Sequence, residues 1–192
     1  MKISRVWAMP SPETFTIKPL RELVERHMTT GGRWIDPFCR DSVFKARCVF
    51  TNDLNPKFAG THNMDALDFL KLFPDQEFDG VLFDPPFSPR QIKEEYQGFG
   101  AMEGPDTSRR FYSQKKREAA RVLRVGGVAI VCGWNSLGLG KKNGMEIDEV
   151  LLINHGDQHD TIITVCRKIR MTNATEHEPA LKSGRSEFWR RP

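Results

Sequence analysis

The sequence has no apolar run that approaches the roughly 20 residues needed by a membrane-spanning helix. Its first residues, MKISRVWAMPSPETF, also lack the continuous apolar segment of a secretory signal peptide. These absences predict a soluble, cytoplasmic protein with no membrane partner. There is no internal repeat and no long low-complexity segment either.

Cysteine is scarce, and its spacing argues against two kinds of site. The four cysteines are Cys39, Cys48, Cys132 and Cys166, and no two of them form a C-x-x-C pair. This spacing does not resemble that of a zinc site, so we expect no bound metal. Disulfides are also not expected, because the predicted compartment is reducing.

The glycine-rich motifs that bind phosphates are absent too. The chain has neither G-x-G-x-x-G nor G-x-x-x-x-G-K-[ST]. Acidic residues at the ends of the predicted strands would moreover repel a phosphate. They are compatible with a ligand that carries amines, hydroxyls or a positively charged sulfur.

The 192 residues, 39% of them hydrophobic and 28% charged, are enough for one domain with a sizeable core. Strand and helix patterns alternate, which predicts an α/β fold with a mostly parallel, twisted sheet and a C-terminal antiparallel hairpin. We expect the hairpin to add an antiparallel strand at the sheet edge. Helices are predicted over 18–27, ALDFLKLF and RRFYSQKKREAARVL, and strands over RWID, ARCVFTND, THNMD, FDGVLFD, VGGVAIVCGW, EIDEVLLINHG and HDTIITVCRKIR.

Four acids stand at predicted strand ends: Asp36, Asp53, Asp65 and Asp84. In open α/β sheets, ligands bind outside the carboxyl ends of the strands, so these acids predict one ligand crevice. Asp53 suits ribose hydroxyls, and Asp65 suits an adenine amino group or, alternatively, caps the following helix. The ring of Phe38 is placed to pack on such a nucleoside ligand.

The segment VLFDPPFSPRQ is the most informative in the chain. An exocyclic amino group on a nucleobase is a poor nucleophile, because its lone pair is delocalised into the ring. Two acceptors, the Asp84 carboxylate and the Pro85 carbonyl, would hold its two N–H groups, and Pro86 stiffens the loop. Phe87 suits stacking on a base extruded from a duplex. The segment therefore predicts methyl transfer to a base amino group.

DPPF resembles the Asp/Asn-Pro-Pro-aromatic motif of amino-methyltransferases that use S-adenosylmethionine. The segments TFTIKPLREL, WIDPF, TNDLNP, NMDALDFL and VGGVAIVCGW resemble other parts of that family in the same order, over about residues 14–170. The chain is most similar to small phage-type adenine-specific DNA N6-methyltransferases. The resemblance implies a Rossmann-like class I methyltransferase fold, S-adenosylmethionine as cofactor, DNA as partner and adenine N6 methylation as the reaction.

The resemblance also assigns residues to roles. The target amino group and base would be held by Asp84, Pro85, Pro86 and Phe87. The cofactor would be bound by Phe15, Thr16, Lys18, Asp36, Pro37, Phe38, Asp53 and Asp65. The chain departs from the family after WIDPF, where small residues and glycines are usual and this sequence has Cys39, Arg40, Asp41 and Ser42.

No segment is long enough for a separate target-recognition domain, so we expect one catalytic domain over 1–175 and a flexible, basic tail over 176–192. The tail carries Phe188 and Trp189 among basic residues, a composition that suits nucleic acid. Any sequence preference is expected to come from residues 88–111, from side chains such as Arg90, or from a partner, and substrate contacts are also predicted for Trp134 and Asn135 after a strand. His155 and His159, at the hairpin turn, are expected to be exposed polar residues and not metal ligands.

Two other functional hypotheses are compatible with the same residues. The target amino group could instead belong to cytosine N4, an RNA base or a protein glutamine, because the motif is common to these reactions. Alternatively, the chain is a non-catalytic nucleic-acid-binding relative, which the departure at residues 39–42 favours.

Overall fold

The computed structural model of the protein describes residues 1–28, 30–58, 60–86, 109–156 and 159–171. These ranges contain three α-helices: α1 Lys18–His27, α2 Ala66–Lys71 and α3 Arg109–Val122. They also contain seven strands: β1 Lys2–Trp7, β2 Trp34–Asp36, β3 Phe50–Thr51, β4 Phe78–Phe83, β5 Leu123–Gly133, β6 Met145–Asn154 and β7 Thr161–Lys168. Short 3₁₀ turns lie at Thr14–Thr16, Lys45–Arg47, Pro56–Phe58 and Lys141–Asn143.

The strands form one sheet in the order β1-β6-β7-β5-β4-β2-β3. β7 is antiparallel to both of its neighbours, and every other neighbouring pair is parallel. The predicted α/β fold with a mostly parallel sheet and a C-terminal hairpin is thus confirmed. None of the helices in the described ranges is long and apolar enough to cross a membrane.

Each face of the sheet is covered by helices with apolar faces. On one face, Leu20, Leu23 and Val24 of α1 pack against a buried cluster that includes Ile130 and Ile163. The opposite face is covered by α2 and α3, through residues such as Phe69, Leu70, Ala119 and Ala120. Full burial of one leucine side chain is worth about 1.5–3 kcal/mol, so these stripes fix the helices on the sheet.

Three details of the predicted sheet are wrong. β7 does not lie at an edge, because the hairpin inserts it between β5 and β6, and the unpredicted β1 forms the edge beside β6. THNMD is not a strand: it contributes a single bridge, between His62 and Asn52. The strand in ARCVFTND is only two residues long, since a 3₁₀ turn occupies Lys45–Arg47.

Glu149 of β6 joins the edge strand and α1 to the sheet. Its carboxylate lies 3.3 Å from Nζ of Lys2, 3.2 Å from Nη2 of Arg26 and 3.5 Å from Nε2 of His27. Burial opposes ionisation of Glu149, but hydrogen bonds from Arg26 and Lys2 outweigh it and hold its pKa below the ordinary value. One buried carboxylate therefore contacts basic side chains from both β1 and α1.

We expect Glu149→Ala to lower the free energy of unfolding by about 1–3 kcal/mol, because a buried acceptor of charged donors is removed. Glu22→Ala is the matched control: the Lys18–Glu22 pair on α1 is exposed, with 3.9 Å between its charged atoms, and should contribute about 0–0.5 kcal/mol. The pKa of Glu149 is lowered in the folded state. Its contribution to the free energy of unfolding is therefore present above the ordinary pKa and is lost as the pH falls through the lowered pKa. Urea unfolding at pH 7 and pH 3 would test this; a difference between wild type and Glu149→Ala that does not shrink in acid would contradict it.

Candidate active site

The order of the strands changes direction at β2, so that β3 and β4 are added on opposite sides of it. From β2 the chain moves to β3 on one side and then returns to β4 on the other. Such a switch point leaves a crevice at the carboxyl ends of the strands. Asp36 ends β2 and Asp84 directly follows β4, so both acids flank this crevice.

Asp36 is completely buried. Its Oδ1 accepts a hydrogen bond from the backbone N–H of Phe38 at 3.0 Å, whereas its buried Oδ2 has no hydrogen-bond partner among the described residues. Burial raises the pKa of Asp36 to about 8, and the negative charges of Asp84 and Asp53 contribute to the increase. A buried acceptor without a donor is costly, so this oxygen favours a ligand that brings an N–H group or a positive charge.

Asp53 is also buried, but both of its oxygens have partners. Oδ1 accepts from the backbone N–H of Asn55 at 2.8 Å, and Oδ2 accepts from that of Arg40 at 3.1 Å. Burial raises the pKa of Asp53, and these two N–H groups counteract part of the increase. The predicted ribose acceptor therefore also fixes the loop that follows β2.

Arg40 stands in this loop where the resembled family usually has small residues. Its φ is +34°, a region that non-glycine residues adopt at a cost. Its Nε lies 3.3 Å from Oε1 of Glu13, and its guanidinium carbon lies 5.3 Å from the ring centre of Phe58. These contacts tie the loop to the segment before α1, through Glu13, and to the 3₁₀ turn after β3, through Phe58.

Asp65 has two structural contacts. Oδ1 accepts from the N–H of Leu67 at 2.8 Å, so Asp65 caps α2, as the alternative reading predicted. Oδ2 lies 3.0 Å from Nζ of the buried Lys115. The role of Asp65 toward adenine remains a prediction.

The other predicted cofactor residues differ in where their side chains lie. Phe15 is buried against Phe44, with 5.7 Å between ring centres, and Thr16 and Lys18 are exposed nearby. Pro37 is buried. Phe38 packs edge-on to Phe83, with 5.2 Å between ring centres, in the core cluster beneath α2 and α3.

The segment after β4 has neighbours on α3 and on β5. Pro85 and Pro86 are buried, and Asp84 is half-buried. The hydroxyl of Tyr112 on α3 donates to the Pro86 carbonyl at 2.5 Å. Cys132 of β5 lies beside Asp84, because β4 and β5 run parallel with Phe83 paired to Val131. Phe87, Arg90 and the tail over 176–192 lie outside the described residues.

The predicted substrate residues at the end of β5 are exposed. Trp134 packs against His159, with 4.9 Å between ring centres and a tilt of 34°. Oδ1 of Asn135 accepts from the N–H of Leu137 at 3.1 Å. His159 is exposed as expected, but the expectation for His155 is wrong.

His155 is buried because both of its ring nitrogens have partners. Nδ1 lies 2.8 Å from the carbonyl of Ala8, and Nε2 lies 2.8 Å from Oγ1 of Thr161. The ring therefore links the end of the edge strand to β7, a long-range contact that the local polar sequence does not reveal.

Asn52 is a residue of the crevice that the sequence analysis missed. It is fully buried, and its side chain donates to the carbonyls of Pro37 and Met64 and accepts from the N–H of Met64. It thereby joins the ends of β2 and β3 to the segment that replaces a further strand. Its position directly before the predicted ribose acid, Asp53, was the available signal.

No cluster of three or more metal-ligating side chains occurs in the ranges that the structure covers. No protein-family model matches the chain, and no curated protein matches it by sequence.

Solved structures, however, share its fold. TrmN from Thermus thermophilus superposes with a TM-score of 0.55 and 18% identity, over 80% of this chain and 49% of that one, so the match spans about half the length of TrmN. A 1,6-didemethyltoxoflavin-N1-methyltransferase from Burkholderia thailandensis, with S-adenosylhomocysteine bound, gives 0.55 and 10% identity, over 80% and 78%. A putative rRNA-methylase from Clostridium thermocellum gives 0.53 and 12% identity, over 85% and 99%. The protein therefore has the Rossmann-like fold of class I, S-adenosylmethionine-dependent methyltransferases.

Proposed function

We propose that this protein transfers a methyl group from S-adenosylmethionine to an exocyclic amino group of a nucleic acid base, with N6 of adenine in DNA as the leading target. One observation carries the proposal. On a methyltransferase fold, the sequence Asp84-Pro85-Pro86 follows β4 at the switch point, beside a buried carboxylate of Asp36 that lacks a donor.

The acidic crevice suits this cofactor. The free Oδ2 of Asp36 is an acceptor for the amino group of the methionine portion, and Asp53 has lone pairs left for ribose hydroxyls. Three neighbouring acids, Asp36, Asp53 and Asp84, favour a ligand with positive charge. When bound, S-adenosylmethionine supplies an electrophilic methyl group on a positively charged sulfur.

At the target base, the chain contributes acceptors and rigidity. The Asp84 carboxylate and the Pro85 carbonyl each accept one N–H of the amino group, which keeps its lone pair directed at the incoming methyl. The carboxylate also stabilises the positive charge that develops on the nitrogen, and it does so best when fixed in place beforehand.

A second candidate target is an RNA base. The likeness to a structure described as a putative rRNA-methylase favours it, and the two acceptors serve an amino group of either nucleic acid.

The test is a transfer assay with isotopically labelled S-adenosylmethionine and DNA or RNA of matched sequence, each as single strand and duplex. Mass spectrometry of the digested nucleosides identifies the product. N6-methyladenine from DNA supports the leading proposal, and label confined to RNA would transfer it to the second candidate. Absence of label in every substrate, with the cofactor bound, would favour the non-catalytic reading.

For the cofactor site, we expect Asp53→Ala to weaken binding of S-adenosylmethionine by about 1.5–3 kcal/mol, because a charged acceptor of ribose hydroxyls is lost. Asp41→Ala removes an exposed acid from the same loop and is the matched control, with affinity expected to stay within about twofold. Calorimetry measures both. Unchanged affinity in a folded Asp53→Ala protein would refute this role for Asp53.

A further inference from the structure

Two residues outside the DPPF motif lie next to its described part, one on strand β5 and one on helix α3. β4 and β5 are parallel, and Phe83 pairs with Val131 in their register. The residues that follow these two, Asp84 and Cys132, are therefore neighbours too. Because side chains alternate along a strand, Asp84 and Cys132 share the face covered by α1. Their side chains are therefore neighbours, and the charge of Asp84 acts on the Cys132 thiol.

The surroundings of the two side chains determine which of them can donate a hydrogen bond to the other. Cys132 is almost completely buried, and burial together with the charges of Asp84 and Asp36 raises the pKa of its thiol well above the ordinary value. The sulfur therefore keeps its proton, and its S–H is available to donate to the neighbouring Asp84 carboxylate. A thiol is a weak donor, so it orients the carboxylate without neutralising its charge.

The second contact comes from α3. The hydroxyl of Tyr112 donates to the Pro86 carbonyl, and burial raises the pKa of this phenol, so it too keeps its proton. A proline has no N–H, so the carbonyl is the only polar backbone group of Pro86. With that carbonyl engaged by Tyr112, the Pro85 carbonyl is the one left for the substrate.

We propose that Cys132 and Tyr112 are positioning residues of the candidate active site. The thiol of Cys132 sets the orientation of the Asp84 carboxylate, and the hydroxyl of Tyr112 sets the orientation of the Pro85–Pro86 backbone. Together they hold the two acceptors at one fixed separation. This inference rests on the proposed function and extends it to two residues that neither the motif nor its order in the chain indicates.

Loss of positioning acts on the rate of the chemical step more than on binding. In Cys132→Ala and Tyr112→Phe, we expect kcat to fall about 10- to 100-fold, because a small displacement of a reacting group has an effect of this size. KM for the nucleic acid and Kd for S-adenosylmethionine should stay within about threefold. Cys132→Ser keeps a donor at the same place and should retain most of the wild-type kcat.

Cys166→Ala is the matched control, since it removes a fully buried thiol from the core cluster on the opposite face of the sheet, with kcat expected within about twofold of wild type. Tyr112→Phe removes one hydroxyl and keeps the ring, so it tests the proposal even where Cys132→Ala folds poorly. Wild-type kcat in both Cys132→Ala and Tyr112→Phe would overturn the positioning roles while the proposed function stands.

A measurement that does not depend on activity separates the positioning role of Cys132 from the proposed function. The S–H stretching band lies in a region of the infrared spectrum free of other protein bands, and subtracting the Cys132→Ala spectrum isolates the Cys132 thiol. We expect this band to shift in Asp84→Asn, because the amide is a weaker acceptor than the carboxylate. If the wild-type protein transfers no methyl group, the proposed function fails; a shifted band then still supports the orientation of Asp84 by Cys132, and an unshifted band overturns it.

Discussion

Asp84→Ala is expected to abolish methyl transfer while the affinity for S-adenosylmethionine stays within about threefold of wild type. The carboxylate faces the target amino group, so its removal eliminates one of two acceptors and the negative charge that stabilises the developing ammonium. Loss of one fixed electrostatic contact of this kind costs about 10²–10³ in rate, and loss of the charge adds to it. The transfer assay and calorimetry with S-adenosylhomocysteine measure the two quantities separately.

Asp84→Asn refines this result. Its amide oxygen still accepts one hydrogen bond, so it should retain more activity than alanine but remain far below wild type. Asp68→Ala, which removes an exposed acid from α2, is a control for the change in net charge and should leave the rate unchanged. Wild-type transfer by Asp84→Ala would refute the proposed mechanism.

The second large effect concerns pH and Asp36. Its pKa of about 8 means that the carboxyl is protonated at pH 6 to 7 when the crevice holds no ligand. A positively charged ligand stabilises the carboxylate, so binding below pH 8 must release this proton. The affinity for S-adenosylmethionine should therefore rise by up to tenfold per pH unit well below pH 8, and by about 50-fold from pH 6 to pH 8, where half of the carboxyl is already ionised.

Asp36→Asn provides the control, because an amide does not titrate. Its affinity should be lower at pH 8 and nearly constant from pH 6 to 8. Calorimetry in two buffers of different ionisation enthalpy counts the released protons directly: close to one at pH 6.5 in the wild type and none from this group in the variant. Equal proton release by both proteins would show that Asp36 does not carry the linkage.

The same pKa has a consequence for stability. The folded chain keeps the Asp36 proton up to about pH 8, whereas the unfolded chain releases it near the ordinary value of 3.8. The contribution of this group is thus fully present below pH 3.8 and is lost as the pH rises toward 8. Burial of this acid thus weakens the fold at neutral pH, and a cationic ligand offsets part of that loss.

Local signals in the sequence predicted the elements that depend on local contacts. The apolar stripe of Leu20, Leu23 and Val24 predicted α1 with the bounds that the structure has. The positions of β4 and β5 followed from continuous apolar runs, as buried parallel strands require. The strand-end acids Asp36 and Asp84 were found for the same reason, because each directly follows or ends such a run.

What the sequence did not reveal depends on contacts between distant segments. β1 is an edge strand whose sequence, KISRVW, has neither a continuous apolar run nor a strict alternation, so its pairing with β6, far along the chain, makes it a strand. The order of β6 and β7 in the sheet likewise depends on long-range pairing, because β7 pairs with both β5 and β6. In the site, the links from Arg40 to Asp53, Tyr112 to Pro86 and Cys132 to Asp84 each join separate elements. Residue type alone does not encode such pairings.

The pairing of β1 with β6 also has a consequence for folding during synthesis. Lys2 pairs with Glu149, so β1, which is translated before the other strands of this sheet, has no partner until β6 has been made. At roughly 5–20 residues per second, this delay lasts on the order of ten seconds. Ile3 and Trp7 stay exposed even in the finished fold, so throughout that delay the nascent strand offers an apolar surface to other chains. Its Lys2 and Arg5 are charges of the kind that oppose aggregation of such a segment.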